Sequence, residues 1–389
     1  MTVDDSVLTA LLEESRQASA RDVPVLVDTA ARRLGLHHTR LYVSDVQETL
    51  LIALPQPADT EQDAELPIDS SLGGLAYRTE EVRLSRDGTT AWVPMTDGIE
   101  RVGVMRATAS GFTPGALRAC RGLAGLATLL VVSKGTYSDL LVERARTRRM
   151  SIQAELLWAF LPPRTVGTAR ITSSAVLEPA YDIGGDAFDH SFTDGVLHLT
   201  LLDAMGHDLA SGGASAVGLA ACRSTRRAGG SLTDIATAID RTLNQWMPQR
   251  LMTAVFGHLD SADGEFTWVN CGHPPPLLIR EGRVVPRALE RHPQLPLGFG
   301  FHSGAPPTLH RARLQPGDRV LLYSDGVTEA RSRDGELFGE QRLTDTVIRS
   351  TASGDTAPEA LRRLLQDLLH HQDQRLHDDA TILLTEWHP

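Results

Sequence analysis

Cysteine is scarce in this 389-residue chain: Cys120, Cys222 and Cys271 lie far apart, with no CxxC pair. That excludes a disulfide framework and a thiolate zinc site, and it points to a reducing compartment. Long apolar runs are also missing. The longest, Leu123 to Val132, falls well short of the ~20 residues a bilayer-spanning helix needs. The opening MTVDDSVLTALLEES lacks the basic and apolar regions of a signal peptide. Positive charge is in deficit as well. A net charge of −11 argues against nucleic-acid or anionic-membrane partners for the chain as a whole. These absences leave a cytoplasmic globular protein as the expectation. The length is too great for one compact core, so two domains of roughly 100–200 residues are expected.

What is present divides near the middle. In the first half, SVLTALLEESRQA and VPVLVDTAARRLGL have helical apolar spacing. TRLYVSD and TLLIALPQ read as strands, and a hairpin is expected around Asp97-Gly98. A helix from Pro114 to Val132 closes the segment. The order resembles a GAF domain, which implies an α+β sensor over residues 1–136 that binds a small ligand or serves as a dimerisation platform. Adjacent His37 and His38 are read as turn or surface residues in preference to haem ligands, and Cys120 as a packed, inert thiol. From Tyr137 to Phe160 an imperfect seven-residue apolar rhythm predicts one continuous helix, ended by Pro162-Pro163. Residues 137–163 are therefore expected to form a helical signalling linker in a homodimer.

The second half carries the chemistry. VLLYSDGVTEA runs an apolar strand into Asp325; LHLTLLDAMGH runs another into Asp203. IGGDAFD sets Asp186 behind two glycines, and HDDATILL sets Asp378 and Asp379 before a final strand. A single Asp-Gly at a strand end is more often a turn. Four such carboxylate positions in one half favour hard divalent cations, which take oxygen ligands. No GxxxxGK[ST] phosphate cradle accompanies them, so the pattern points to metal-assisted hydrolysis.

The ordered set IGGDAFD, LLDAMGH, VNCGHPPPLL, VLLYSDGVTEA and HDDATILL resembles the SpoIIE/RsbU branch of the metal-dependent protein serine/threonine phosphatases (PPM). The resemblance runs from about Ala154 to the C-terminus. It implies an α/β/β/α sandwich over residues 164–389 with two Mn²⁺ or Mg²⁺ ions at one end. Asp203 matches the carboxylate that bridges both ions, and Ala204 the position whose backbone carbonyl contacts one. Asp325 and Asp378 match the ligands of the other ion. Asp186 matches the outer aspartate, often linked through water, and Asp379 takes a supporting role. His207 is a lesser candidate for a general acid. Asn270 and His273 are read as organising a loop. The implied substrate is a phosphorylated STAS-domain anti-anti-sigma factor, with water as nucleophile and the N-terminal domain as regulator.

One residue departs from the branch. Where D-x-x-G-H-G is usual, this chain has Asp208 in place of the last glycine. If the backbone there needs a glycine-only angle, the site is strained. A competing expectation follows: a catalytically weak or inactive module that sequesters a signalling partner.

Overall fold

The computed structural model describes residues 3–56, 64–182, 184–292, 294–300, 302, 304–373, 376 and 378–388. It divides into two compact units, Met1–Arg149 and Met150–Pro389.

The first unit contains α1 (Val3–Ser15), α2 (Val23–Arg33), β1 (His38–Ser44), β2 (Leu50–Ala53), β3 (Glu65–Pro67) and α3 (Leu72–Thr79). It continues with β4 (Arg83–Leu84), β5 (Thr90–Asp97), β6 (Glu100–Thr108), α4 (Pro114–Gly135) and α5 (Asp139–Arg144). The strands form one antiparallel sheet in the order β3-β2-β1-β6-β5-β4. Alternation along β1, β5 and β6 sends Leu41, Val93 and Met105 toward α2 and α4, while Tyr42, Trp92 and Val104 face the opposite side. The β5–β6 hairpin closes at Asp97-Gly98, with Gly98 at φ +62°. By length and composition α4 could cross a membrane, and here Leu123, Ala127 and Val131 on it pack into the unit's core. His38 bonds Asp28 at 2.8 Å and His37 bonds Ser110 at 3.2 Å, so both are tied into local structure. Burial pushes the Cys120 thiol up to about 11.

The second unit opens with α6 (Ile152–Trp158), β7 (Thr165–Gly167), β8 (Ile171–Glu178), β9 (Asp186–Thr193) and β10 (Val196–Ala204). Two long helices follow, α7 (Leu209–Arg227) and α8 (Leu232–Trp246), then β11 (Met252–Asp260), β12 (Glu265–Cys271), β13 (Leu277–Arg280) and β14 (Arg283–Val284). The unit ends with β15 (His310–Arg313), β16 (Arg319–Tyr323), α9 (Asp325–Thr328), α10 (Gly339–Ala352), α11 (Ala357–His371) and β17 (Ala380–Trp387). One sheet has the order β15-β12-β11-β10-β9 and the other β14-β13-β16-β17-β8-β7. Phe266, Trp268, Leu199 and Leu383 share a core that reaches α7 and α8; Leu321, Ile382 and Leu384 pack against α10 and α11. The expected α/β/β/α layering is what these clusters describe.

The continuous helix expected from Tyr137 to Phe160 is not formed. Helix α5 stops at Arg144 and α6 starts at Ile152. Three causes act together. Arg144 and Arg148 would stand one turn apart as like charges. Ser151 caps α6, its hydroxyl accepting from the Ala154 N–H at 3.2 Å, and its extended backbone ends any helix before it. Finally, Leu141 belongs to the first unit's core, whereas Ala154 and Leu157 belong to the second's. The seven-residue rhythm spans two short helices owned by different cores.

Arg144, Arg148 and Arg149 are exposed on non-helical or helix-end backbone. Brief trypsin treatment should therefore cut first between Arg144 and Arg149, releasing a folded fragment that begins near Met150. Resistance there, read by mass spectrometry, would restore the continuous helix.

Candidate metal centre

Strand register assembles the first carboxylates. Antiparallel pairing sets Asp203 on β10 opposite Asp186 on β9 and, on its other side, opposite Thr253 on β11. The second sheet supplies the rest. The Ser324 N–H donates to the Thr381 carbonyl at 2.9 Å, and the Thr381 N–H donates to Ser324 Oγ at 2.9 Å. These bonds lay Asp325, just after β16, beside Asp378 and Asp379, just before β17.

Asp379 then ties the two sheets. Its carboxylate accepts the backbone N–H groups of Gly184 at 2.9 Å, Gly185 at 2.6 Å and Asp186 at 3.0 Å. The Thr381 hydroxyl donates to Asp186 Oδ2 at 2.6 Å. Glycine is required where backbones touch. A Cβ at Gly185 would overlap the Ala204 carbonyl oxygen, and one at Gly326 the Asp379 carbonyl oxygen. Ser215 on α7 closes the inner side by donating to the Gly185 carbonyl.

Burial grades across the cluster: Asp186 and Asp379 are buried, Asp203 is partly so, and Asp325 and Asp378 are exposed. The electrostatics follow. Burial, then Asp203 and Asp379, hold the Asp186 carboxyl well above the carboxylate range. Burial pushes Asp203 up to about 7, reinforced by Asp325, Asp378 and Asp379. Burial also raises Asp325, with help from Asp378 and Glu329, and burial raises Asp379 against the pull of its three N–H donors. Asp203 thus senses carboxylates from the other sheet, which shows that the two sets converge.

The strongest charges acting on Asp203 among the described residues are the carboxylates of Asp325, Asp378 and Asp379. Among the described residues no three His, Cys, Asp or Glu side chains close on one point as a finished cage. The donor set is all oxygen and clustered, and in chemistry it fits a hard divalent cation. The Ala204 carbonyl lies against Gly185 at the same strand end. A groove of about 720 Å³ between α10 and α11, lined in part by Arg342, Arg349 and His370, contains none of these carboxylates.

Other expected residues find definite places. His207 is exposed. Asn270 and His273 brace a loop reciprocally, Asn270 Nδ2 donating to the His273 carbonyl and the His273 N–H to Asn270 Oδ1, each at 2.9 Å. Asp208 carries no strain. Its φ of −103° is open to any residue, and it is the N-cap of α7, accepting from the Ser211 N–H at 2.8 Å. Its other oxygen accepts from Arg250 at 3.1 Å. The fear of a glycine-only angle at this position is overturned.

Sequence reading missed Thr253, Thr381 and Ser324. Thr381 could have been found, because strand alternation sets it on the side of Asp379, two residues earlier. Thr253 carries no local signal; only the β10–β11 register brings it to Asp203.

Residues 193–388 match the family described as Stage II sporulation protein E (SpoIIE). Asp203, Asp325 and Asp378 lie within the matched span, and Asp186 lies just ahead of it. The chain is 31% identical over 132 residues to Protein IcfG of Synechocystis sp. (strain ATCC 27184 / PCC 6803 / Kazusa), covering 34% of this chain and 20% of that protein. It is 23% identical over 213 residues to phosphoserine phosphatase RsbU of Bacillus subtilis (strain 168), covering 54% and 61% respectively. Among solved structures, the RsbU and RsbW domains of Rv1364c from Mycobacterium tuberculosis align at 25% identity with a TM-score of 0.48, covering 58% of this chain and 62% of that one. The chain spans less than two thirds of each of these proteins.

The raised carboxyls set a pH dependence. Asp203 binds its proton more tightly folded than unfolded, so its stabilising contribution is present below about pH 4 and is lost as pH rises through about 7. Without divalent cation, Asp203→Asn should gain melting temperature relative to wild type as pH goes from 5 to 8. Mn²⁺ should raise the wild-type melting temperature most at pH 8, where the ligands are ionised. A pH-independent difference between the two proteins would contradict this.

Proposed function

The chain belongs to the SpoIIE family, and from that membership we propose that it is a divalent-cation-dependent protein serine/threonine phosphatase whose substrate is a phosphorylated STAS-domain anti-anti-sigma factor in a partner-switching pathway. One observation carries the reading. Asp186 and Asp203 from one sheet, and Asp325 and Asp378 from the other, meet at one end of the sandwich, where the strongest charges acting on Asp203 are other carboxylates.

In this reading Asp203 would serve both of two Mn²⁺ or Mg²⁺ ions and the Ala204 carbonyl one of them, Asp325 and Asp378 would hold the other, and Asp186 would support from within. Bound divalent ions supply charge for the phosphoryl oxygens and lower the pKa of a hydrolytic water. The protein's own part is placement. Asp379 and Thr381 fix Asp186, while the Ser324–Thr381 bonds fix the turn at Asp325. The exposure of Asp325 and Asp378 leaves the mouth open to a phosphoserine or phosphothreonine on a folded protein. No side chain is asked to form a covalent intermediate, so the three cysteines, all buried, need no role.

Residues 1–136 are proposed as a GAF-like sensor that takes a small ligand and regulates the phosphatase in a homodimer. The interrupted helix does not remove a route for such control. The Ser151 N–H donates to the Tyr181 carbonyl at 2.9 Å, and a Cβ on Gly212 would lie 3.7 Å from Leu157 and 3.2 Å from the Gly184 carbonyl. Helix α6 therefore abuts the segment that leads to Asp186. The competing inactive-module reading drew on Asp208 alone, and Asp208 is an unstrained helix cap.

Mn²⁺-stimulated hydrolysis of an aryl phosphate, and of a phosphoserine STAS protein, tests the proposal. Asp203→Asn and Asp325→Asn should each reduce both rates by about 10²-fold or more, the scale for losing an electrostatic group at a reacting phosphoryl centre. The far-ultraviolet dichroism should be unchanged. Wild-type rates in both variants would sink the proposal. Deleting residues 1–136 should change the specific activity toward the STAS protein; an identical rate would remove the regulatory role.

A further inference from the structure

His273 lies behind the carboxylates and touches both halves of the site. Its ring is buried, with Nε2 3.0 Å from the Tyr323 carbonyl and Nδ1 2.6 Å from Thr253 Oγ1. Tyr323 ends β16, two residues before Asp325; Thr253 lies on β11, directly across from Asp203. One imidazole thus joins the strand beside Asp203 to the strand that delivers Asp325.

The partners fix the tautomer. A carbonyl can only accept, so Nε2 carries the proton and Nδ1 is the acceptor. The Thr253 hydroxyl has one hydrogen, and at 2.6 Å that hydrogen goes to Nδ1. Thr253 Oγ1 also stands 3.4 Å from Asp203 Oδ2. The same hydroxyl faces that oxygen as a donor, so Asp203 Oδ2 accepts a second, longer branch of the bond whose short branch goes to the imidazole. That branch ties Asp203 Oδ2 to β11 at a length too great to compete strongly with a cation. Burial pulls the imidazole down to about 4, so the ring stays neutral and keeps this bonding sense across the working pH range. The reciprocal Asn270 bonds hold the His273 backbone in place.

We propose that His273 and Thr253 form a positioning relay that sets the placement of Asp203 relative to Asp325, and through it the site's affinity for divalent cation. The proposal rests on the metal-centre reading. Outer partners of metal ligands typically contribute 10–100-fold in affinity, because they hold the ligand where the ion needs it. Here the outer partner is shared by ligands from two sheets, so its loss loosens both.

The test is Mn²⁺ binding to the full chain, followed by the paramagnetic resonance signal of free Mn²⁺ at a temperature where every variant is folded by circular dichroism. Thr253→Val removes the hydroxyl and keeps the shape; it should raise the Mn²⁺ Kd by about 10–100-fold. Thr253→Ser restores the hydroxyl and should bind as wild type does. His273→Gln retains an N–H near the Tyr323 carbonyl but offers no acceptor at Nδ1, and it should weaken binding like Thr253→Val. If Thr253→Val and His273→Gln bind Mn²⁺ as tightly as wild type, the relay is overturned while the metal centre stands. If Thr253→Ser is as weak as Thr253→Val, the hydroxyl is not the operative group and the relay is likewise overturned. If wild type binds no Mn²⁺, the metal-centre reading falls first and the relay with it.

Discussion

Everything at the candidate centre depends on one carboxylate that faces away from the opening. Asp379 accepts three consecutive backbone N–H groups, from Gly184, Gly185 and Asp186. Those donors belong to the lead-in of one sheet, and Asp379 belongs to the lead-in of the other. A carboxylate in such a nest is held by charge-assisted bonds, which are shorter and stronger than neutral ones. Two glycines permit the approach, since a side chain at Gly185 would overlap the neighbouring strand's carbonyl. This tie, together with the His273 bridge, fixes the spacing of the strand ends that carry Asp203 and Asp325.

The tie has an electrostatic consequence. It gathers carboxylates that repel one another in a partly buried place, and burial compounds the repulsion. Folding energy from the two apolar layers must hold them there; Trp268, Phe266 and Leu199 are fully or almost fully buried a few residues from the site. A scaffold that stabilises concentrated negative charge is poised for divalent cations, whose binding relieves the repulsion. In the proposed reading, stability given up in the cation-free protein would reappear as cation affinity.

The hydroxyl-bearing residues show a second layer of the same logic. Thr253, Ser324 and Thr381 add no charge. Each satisfies a backbone, imidazole or carboxylate partner, so that the acidic side chains keep one arrangement. Asp208 belongs to this layer too: as the cap of α7 it holds the helix whose Ser215 braces Gly185. A residue that looks like a defect in a motif is a helix start.

The sequence by itself determined the layered sandwich of the second unit and its five aspartates. Apolar strands that end in a carboxylate and a glycine are local patterns, and the alternation that buries Leu199 and Leu201 also fixes which face of β10 Asp203 occupies. The Asp97-Gly98 hairpin was local in the same sense, depending on residues within one turn. What the sequence could not decide was anything set by partners distant in the chain. The apolar rhythm from Tyr137 to Phe160 looked like one helix because periodicity does not record which core each residue joins. Thr253 looked like an ordinary strand residue because its neighbour Asp203 is chosen by strand register. The nest around Asp379 joins residues some two hundred positions apart, and His273 joins strands fifty apart. Those distances are closed only when two sheets pack face to face, which is why the aspartates were legible in the sequence and their arrangement was not.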